Sequence, residues 1–339
     1  MFLGVLGVPR ALGPTSSAHD KVLGVSESRS ERPYYPATMT DPGYADVDAP
    51  ASSDPDLAHW VAMTLGKRFE RSEVLVGGMS SIVQRCFLDD GLSVVVRHIV
   101  DEEWLAREPD LIGQEADALQ LLEATALPTP RLLAADSQNR RLMMSWLHGE
   151  MRTESNFLVA HVDQLADMAA RIASVRLAEN HSITKWCPWV PTNPIPPSWG
   201  DQKLWASAIA SYQSSPPQVA REALLHRDLH PLNVLWTGDE ITGVVDWVNA
   251  CVGHPHAELG HCRWNLAVLA GVETADRFLA RYLASTDFGP YENWWDIVAM
   301  LGFLPGPIGI AGWHTTGRSD LTRQAVVTAT EQFLESVLD

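Results

Sequence analysis

The feature that most constrains the fold of this chain is a polar stretch, Leu225–Asn233, followed at once by a short apolar hairpin. Within it, Asp228 and Asn233 flank Pro231, so both side chains lie on a loop, because proline interrupts a helix. The second strand of the predicted hairpin ends at Asp246. A loop, a hairpin and a carboxylate at the strand end together predict a site at one edge of a small β element.

Asp228, Asn233 and Asp246 are the kinds of side chain that phosphoryl transfer requires. One carboxylate can orient an attacking hydroxyl and accept its proton. An amide oxygen and a second carboxylate can hold Mg²⁺ against phosphate groups, because a hard cation prefers oxygen ligands. Each residue alone also fits an ordinary surface loop, but that explanation does not account for both spacings and the hairpin between them.

The residues His226–Asn233, with Asp246-Trp247 after the hairpin, resemble the catalytic region of the protein-kinase-like superfamily. The resemblance is closer to the aminoglycoside phosphotransferase and choline kinase branch, which usually reads His-Gly-Asp-Leu-His-Pro-Gly-Asn and then Ile-Asp-Trp. His230-Pro231 fits that branch, whereas a protein kinase would have lysine at position 230 and Phe-Gly after the metal-binding aspartate. Arg227 departs from the branch, which usually has glycine there.

A second stretch supports the same branch. Gly253–Leu259 resembles its Gly-Asp-Pro-x-x-Asp-Leu-Ala motif, with Glu258 in place of the usual aspartate. The resemblance implies that Asp228 is the catalytic base and that Asn233 and Asp246 are the metal ligands. It also implies ATP as co-substrate, Mg²⁺ as the metal and a small-molecule hydroxyl as the acceptor.

The order of predicted elements, with the resemblance, indicates an α+β, bilobal protein-kinase-like fold. Residues 1–55 lack an apolar period and are rich in Ser, Pro, Asp, Ala and Gly, which is typical of a disordered or extended tail. Residues 56–147 are predicted to form a nucleotide-binding N-lobe, a small antiparallel β-sheet with one helix. Residues 148–339 are predicted to form a larger, mainly helical C-lobe that holds the catalytic loop and the substrate-binding helices.

The predicted elements follow from periodicity and turn residues. Asp89-Asp90-Gly91 separates two apolar runs and predicts a hairpin. Apolar residues from Leu158 to Val175 step by three and four positions, which predicts a long helix with one buried face. The N-lobe patterns predict strands at Glu73–Val76, Ser81–Leu88, Leu92–Ile99 and Arg141–Trp146 and a helix at Leu111–Leu122.

Two charged residues of the N-lobe are candidates for holding the nucleotide. Arg97 stands on the third strand, where the family would place a basic residue, commonly lysine, to grip the phosphates; arginine can also pair with phosphate. Glu115 lies on the apolar side of its helix, between Ile112 and Leu119, where a charge usually needs a partner. The resemblance implies that this partner is Arg97. A glutamate at the helix edge that faces water is the alternative.

Two further segments are implied to contact ATP. The turn Gly77–Ser81, which includes Ser80 and Ser81, would cover the phosphates with backbone amides, although an ordinary hairpin turn explains the same residues. The strand before Gly149 would link the lobes, with its backbone meeting the adenine edge at Ser145 and Leu147. A plain buried strand is the alternative for those two residues.

Composition excludes several classes of protein. The formal net charge of −17 opposes nucleic-acid binding, which normally needs basic excess. The chain has no stretch of 18 or more apolar residues, so no membrane span is predicted. Its four cysteines lack paired spacing, which predicts reduced thiols in a cytoplasmic protein. No G-x-S-x-G motif supports a serine hydrolase. A zinc site is opposed by the lack of a C-x-x-C pair among its potential ligands, Cys251, His254, His256, His261 and Cys262.

The identity of the acceptor stays open from the sequence. The chain has 13 tryptophans, which fit either core packing or a ring-lined pocket for an apolar or quaternary-ammonium substrate. The loop Trp186–Gly200 is predicted to shape specificity. A polycationic aminoglycoside would instead need acids, of which the C-lobe offers Glu258, Asp287, Glu292 and Asp296.

Three other functions compete with an aminoglycoside phosphotransferase-like enzyme. A metabolite kinase acting on choline, homoserine or a sugar would use the same machinery. A nucleotide-binding pseudokinase with a regulatory role is favoured by arginine in place of lysine at position 97 but opposed by the complete set Asp228, Asn233 and Asp246. A protein kinase is opposed by His230 and by Asp246-Trp247.

Overall fold

The computed structural model describes residues 55–75, 81–214, 217, 221–304, 306 and 308–339. Within them, a five-stranded antiparallel sheet has the order β1-β2-β3-β5-β4. The hairpin between β2 and β3 turns at Gly91, whose φ of 79° favours glycine. The strands are β1 (Phe69–Val74), β2 (Ser81–Leu88), β3 (Ser93–Ile99), β4 (Leu132–Asp136) and β5 (Arg141–Ser145).

Alternation along β3 assigns its side chains to two different layers. Val94 and Val96 pack in a small apolar cluster with α1 (Pro55–Leu65). Val95 and Ile99 belong to the main core, which includes α3 (Leu111–Glu123). Because successive side chains of a strand point to opposite faces, Arg97 lies on the face of Val95 and Ile99, toward α3.

A short helix precedes α3. This helix, α2 (Glu102–Arg107), begins where the carboxylate of Asp101 accepts a hydrogen bond from the backbone N–H of Trp104 at 2.8 Å. Helix α2 was not predicted, because a helix of six residues is too short to show an apolar period. The predicted helix at Leu111–Leu122 is confirmed as α3.

The rest of the described chain is mainly helical. Two small sheets interrupt it, one ordered β6-β8-β9 and the other pairing β7 with β10. Their strands are β6 (Glu150–Met151), β7 (Ala223–Leu225), β8 (Val234–Thr237), β9 (Glu240–Val244) and β10 (Cys251–Gly253). The helices are α4 (Ser155–Ala173), α5 (Gln202–Ser214), α6 (Leu259–Ala270), α7 (Val272–Ser285), α8 (Trp294–Leu301), α9 (Ala311–Thr315) and α10 (Arg323–Leu338).

Helix α6 lies at the centre of this helical part and packs against α4, α7, α8 and α10. Ten of its residues are buried, so it carries no single apolar face, as expected for a helix surrounded by protein. Helix α4 has the buried seam that its sequence predicted, with Leu158, Leu165 and Ile172 in the core. The central position of α6 brings its first turn against the catalytic loop.

The structure agrees with the predicted α+β kinase-like architecture, while some details differ. The strand predicted at Glu73–Val76 begins earlier, at Phe69, on the edge of the sheet. Strand β4 was missed because Leu132–Asp136 has no alternating pattern. The predicted tail, apart from Pro55, and the turn residues Gly77–Ser80 lie outside the described residues. In the described part, no helix has both the length and the apolarity needed to cross a membrane.

Candidate active site

The predicted catalytic loop, residues 226–233, joins β7 to β8, and a buried carboxylate fixes its backbone. Glu258 accepts backbone hydrogen bonds from Arg227 at 3.0 Å and from Leu229 at 3.2 Å. Arg227 has a left-handed backbone with φ of 70°, the conformation that glycine adopts without strain. Glu258 therefore stabilises the loop at the position where the branch usually has glycine.

Asp228 and Asn233, predicted as base and metal ligand, are in direct contact. The Asn233 side-chain amide donates to the Asp228 backbone carbonyl at 2.8 Å and to its Oδ2 at 3.2 Å. The contact is possible because Pro231–Asn233 forms a single 3₁₀ turn that folds the loop back on itself. With Nδ2 used in this way, the Asn233 Oδ1 remains as a possible ligand for a cation.

Two imidazoles surround the Asp228 carboxylate. His261 Nε2, from α6, lies 3.1 Å from Asp228 Oδ1, and His230 Nε2 lies 3.6 Å from the same atom. Burial alone would raise the pKa of Asp228, but His230, His261 and His226 lower it well below its usual range. Burial lowers the pKa of His230 to about 4. His230 is then neutral at neutral pH, and the carboxylate keeps the contact with His261 on one side and the hydrogen bond from the Asn233 amide on the other.

Asp246 and Arg97 join the hairpin region to the large sheet. Arg97 Nη2 lies 2.9 Å from Asp246 Oδ1, and its Nε lies 3.1 Å from Glu115 Oε2. The predicted pairing of Arg97 with Glu115 is therefore present, and Arg97 also donates to Ser81 Oγ at 3.4 Å. Asp246 follows β9 with a left-handed φ of 70°. These contacts bring four predicted site residues together across two parts of the fold, because Ser81 was also predicted to contact the nucleotide.

The ion pairs around Arg97 are close but poorly aligned. The Arg97 Nε, both Glu115 carboxylate oxygens and Asp246 Oδ1 are buried without a well-aligned side-chain hydrogen bond. Burial raises the pKa of the Glu115 carboxyl to about 7, although Arg97 opposes the shift. Burial alone would lower the pKa of Arg97, but Asp246 and Glu115 raise it above its usual value. The arginine thus stays charged between two carboxylates.

The donor set fits Mg²⁺ bound to a nucleotide. Asp246 Oδ1 is a buried carboxylate oxygen without an aligned hydrogen bond, and Asn233 has an uncommitted amide oxygen. Both are oxygen ligands, which Mg²⁺ prefers, and a magnesium site typically takes only one or two of them from the protein.

The remaining predicted nucleotide contacts lie elsewhere in the structure. The Ser145 backbone N–H donates to Arg131 O at 2.9 Å, and its Oγ accepts from the Arg131 N–H at 2.9 Å. Leu147 Cδ1 is 3.1 Å from the position that a Cβ on Gly243 would occupy. Ser145 is therefore the last residue of β5, and Leu147 follows it and lies beside β9. Ser80 lies outside the described residues.

Membership of a family follows from the comparison with protein-family models. The model described as "Phosphotransferase enzyme family" matches residues 83–294, which include every charged residue of the site above. The chain belongs to this family. A comparison with curated proteins finds no match.

Solved structures with the same fold include other phosphotransferases. Macrolide 2'-phosphotransferase MphH from Brachybacterium faecium aligns at 18% identity and a TM-score of 0.53, covering 81% of this chain and 97% of its own. A thermostable mutant of aminoglycoside phosphotransferase APH(4)-Ia, in complex with ADP and hygromycin B, aligns at 15% identity and a TM-score of 0.56, covering 84% and 98%. Amicoumacin kinase hAmiN, in complex with AMP-PNP, Ca²⁺ and Ami, aligns at 12% identity and a TM-score of 0.52, covering 84% and 94%. These likenesses establish the kinase-like fold of the phosphotransferase.

Two residues that the sequence did not predict for the site lie against the predicted catalytic loop of this phosphotransferase. Glu258 was predicted as a departure from the usual aspartate and as one of four acids for a polycation, yet its carboxylate holds the loop backbone. His261 was considered only for a zinc set with nearby cysteines, yet it contacts Asp228. The motif signal could have identified Glu258, whereas nothing in the spacing alone points His261 toward Asp228.

Arg227 connects the catalytic loop of the phosphotransferase to the loop Trp186–Gly200. Its Nη2 donates to the Cys187 carbonyl at 2.6 Å, and its guanidinium carbon lies 3.9 Å from the centre of the Trp189 ring. Such a cation–π contact contributes about 0.5–2 kcal/mol, depending on burial. The side chain that departs from the family pattern therefore holds the segment predicted to shape specificity.

Proposed function

We propose that this phosphotransferase moves the γ-phosphate of ATP to a hydroxyl of a small molecule, with Asp228 as the base. The observation that supports this proposal most is the double contact of Arg97 with Glu115 and Asp246, at 3.1 and 2.9 Å. A buried cation between two carboxylates beside a loop aspartate is the set of charges needed to align phosphates for transfer.

Asp228 is suited to receive the acceptor hydroxyl. Its pKa is held well below the usual range by the surrounding imidazoles, against the effect of burial, so it is ionised at neutral pH and can accept a hydrogen bond. His261 on one side and Asn233 on the other fix the carboxylate at 3.1 and 3.2 Å. A fixed acceptor orients the attacking oxygen, and orientation is a large part of catalysis in this reaction class.

The remaining predicted roles complete the proposal. Arg97, aligned by Glu115, would bind the phosphates, and the turn with Ser80 and Ser81 would cover them. The backbone at Ser145 and Leu147 would meet the adenine. Asn233 and Asp246 would hold Mg²⁺, which supplies charge neutralisation to the phosphates when bound. The predicted lobe boundaries at residues 56–147 and 148–339, and a cytoplasmic location, belong to the same proposal.

We further propose an acceptor with an apolar face rather than a polycation. Among the four acids that could have received a polycation, Glu258 binds loop amides, Asp296 pairs with Arg263 and Asp287 pairs with Arg221. Besides its polar contacts with Asp228 and Asn265, His261 has aromatic neighbours, with Phe303 and Trp264 rings centred 5.9 and 5.8 Å away. MphH is a macrolide 2'-phosphotransferase, which gives one example of such an acceptor.

The experiment is an ADP-release assay with purified protein, ATP and Mg²⁺ over a panel of macrolides, aminoglycosides, amino alcohols and sugars. With an accepted substrate, Asp228→Asn is expected to reduce turnover by about 10²–10⁴-fold while nucleotide binding persists. Asp239→Asn, on an exposed hairpin turn, is the matched control and should leave turnover unchanged.

Two outcomes would overturn parts of the proposal. Full turnover by Asp228→Asn would remove Asp228 from its role as base. Mg²⁺-dependent ATP binding without transfer to any member of the panel would favour the pseudokinase. Preferred turnover of amino alcohols or sugars would favour the metabolite kinase, and preferred turnover of aminoglycosides would contradict the apolar acceptor.

A further inference from the structure

Three side chains of types that bind metals, Asp228, His230 and His261, lie close together at the predicted catalytic loop. The proposed phosphotransfer assigns its metal to other residues. Possible ligand atoms of Asp228, His230 and His261 all lie within 4.8 Å of one another. The Asp228 Oδ1 is 3.1 Å from His261 Nε2 and 3.6 Å from His230 Nε2. Two donors bound to one tetrahedral Zn²⁺ at about 2.0–2.1 Å are about 3.4 Å apart. The two separations between Asp228 and the histidines are therefore close to that of ligands that share one ion.

The three side chains are also held in place and open on one side. Asp228 and His230 stand on the catalytic loop, where Pro231 fixes the backbone, and His261 stands on the buried helix α6. Their side chains are 25%, 14% and 15% exposed, so a fourth ligand can reach them from solvent. An open position with three protein ligands is the form of non-structural zinc sites.

The chemistry of the donors separates this group from the magnesium ligands. Two imidazole nitrogens and one carboxylate oxygen suit zinc and neighbouring transition metals, whereas Asn233 and Asp246 offer oxygen alone. We propose that Asp228, His230 and His261 form an inhibitory site for a transition-metal cation such as Zn²⁺. The inhibition, though not the binding, rests on the proposed role of Asp228, whose carboxylate the ion would occupy.

Metal binding would replace two contacts of His230. A metal on Nε2 requires the ring proton on Nδ1, and Nδ1 accepts from the Leu232 N–H at 3.4 Å in the structure. The Nε2 atom lies 3.3 Å from Asn233 Nδ2. Both contacts are at the long limit of a hydrogen bond, so little is lost when they are given up.

The first experiment measures Zn²⁺ alone, without nucleotide or Mg²⁺, by competition with a chromogenic zinc chelator. A Cys187→Ser background removes the one exposed thiol of the four cysteines. We expect one Zn²⁺ per chain, and at least tenfold weaker binding in both His261→Asn and His230→Asn. His59→Asn, on α1, is the matched control and should bind as the parent does. Circular dichroism checks that each variant is folded.

Co²⁺ gives a second readout that does not depend on activity. The parent should show the intense visible absorption of a four-coordinate site, and His261→Asn should lose it. Equal Zn²⁺ binding by the parent, His230→Asn and His261→Asn would overturn the proposed site. Binding of one Zn²⁺ per chain that only His59→Asn weakens would also overturn it.

Inhibition of phosphotransfer by Zn²⁺ distinguishes the zinc site from the proposed function. With an accepted substrate and Mg²⁺ in excess, Zn²⁺ should inhibit the parent at a concentration at least tenfold lower than it inhibits His261→Asn. Zinc binding that His261→Asn weakens, without inhibition, would support the site and contradict the role of Asp228. Absence of zinc binding in an active enzyme would contradict the site and leave the phosphotransfer proposal intact.

Discussion

At the scale of single residues, the site keeps two non-glycine residues in a conformation that glycine favours. Arg227 and Asp246 both have φ of 70°, and such residues cost about 1–3 kcal/mol each where the surroundings hold them. Arg227 is held by the Glu258 carboxylate and Asp246 by its contact with Arg97. Strain at both ends of the proposed machinery means that neighbouring charged side chains, Glu258 and Arg97, determine where Asp228 and Asp246 lie, rather than the local backbone preference.

Glu258→Gln should therefore weaken catalysis more than binding. A glutamine can accept one of the two backbone N–H groups but leaves the other facing an amide NH₂, so the free energy of unfolding should fall by about 1–3 kcal/mol. We expect kcat to fall at least tenfold because the Asp228 loop loses its support, while nucleotide affinity stays within about threefold. Urea unfolding and ADP release measure both effects. Glu292→Gln is the control, and equal behaviour of the two variants would contradict this role of Glu258.

His256 should make stability depend on pH. Its ring is 1% exposed, and burial, with His254 nearby, lowers its pKa from 6.5 to about 4. The unfolded chain binds this proton below pH 6.5 and the folded protein does not, so the contribution is complete above pH 6.5 and is lost as the pH falls toward 4. The free energy of unfolding, measured with urea, should rise as the pH is raised from 4.5 to 7. His256→Gln should reduce the slope of this rise by an amount that corresponds to at most one bound proton. Identical slopes would contradict the burial of a neutral ring.

At the scale of elements, the pairing of α4 with α7 combines an exposed ionic edge and a buried apolar face. Arg281 forms two hydrogen bonds of 2.7 Å with the Asp167 carboxylate at the surface. Phe278, one turn earlier, is fully buried. Exposed ion pairs contribute about 0–1 kcal/mol, whereas removal of a buried phenyl ring costs about 3–5 kcal/mol. The apolar face therefore holds the two helices together.

Two alanine variants on α7 test this division. Phe278→Ala should lower the free energy of unfolding by about 3–5 kcal/mol, and Arg281→Ala should lower it by less than about 1 kcal/mol. High salt should reduce the second effect and leave the first unchanged. Urea unfolding at low and high salt measures both. A larger effect from Arg281→Ala would mean that the ionic edge is not screened by solvent.

The elements that the sequence predicted well are those with a clear period or turn. The α4 seam and the hairpin of β2 and β3 follow from apolar spacing and from Gly91, and both are confirmed. Strand β4 could not be predicted, because its pairing with β5 comes from the sheet and not from its own pattern. The contact between His261 and Asp228 joins positions far apart in sequence, so only the packing of α6 brings it about.

At the scale of the whole molecule, Arg97 is the charge that joins the five-stranded sheet to the catalytic region. Its side chain is 8% exposed and contacts Glu115 of α3 on one side and Asp246 beyond β9 on the other. Removal of one member of a buried ion pair costs about 3–5 kcal/mol, because the other charge is left without a partner. The same contact therefore serves the stability of the fold and, in our proposal, the alignment of phosphates.

Arg97→Met should be less stable than the double variant Arg97→Met/Glu115→Leu. The single change leaves the buried Glu115 carboxylate without a cation, and the double change replaces both charges by apolar groups. We expect a loss of about 3–5 kcal/mol for the single variant and recovery of at least half of it in the double variant. Both should lack phosphotransfer. Equal free energies of unfolding for the single and the double variant would show that the buried Glu115 carboxylate does not need Arg97 as its partner.

The exposed Cys187 has a practical consequence for following this protein in solution. Cys86, Cys251 and Cys262 are buried, so a maleimide dye should react at Cys187 alone in the folded protein. Its backbone carbonyl is bound by Arg227, so the dye would stand next to the junction of the Trp186–Gly200 loop with the catalytic loop. A change of fluorescence on adding candidate acceptors would report their binding without turnover, which gives the search for the acceptor an optical signal from the natural sequence.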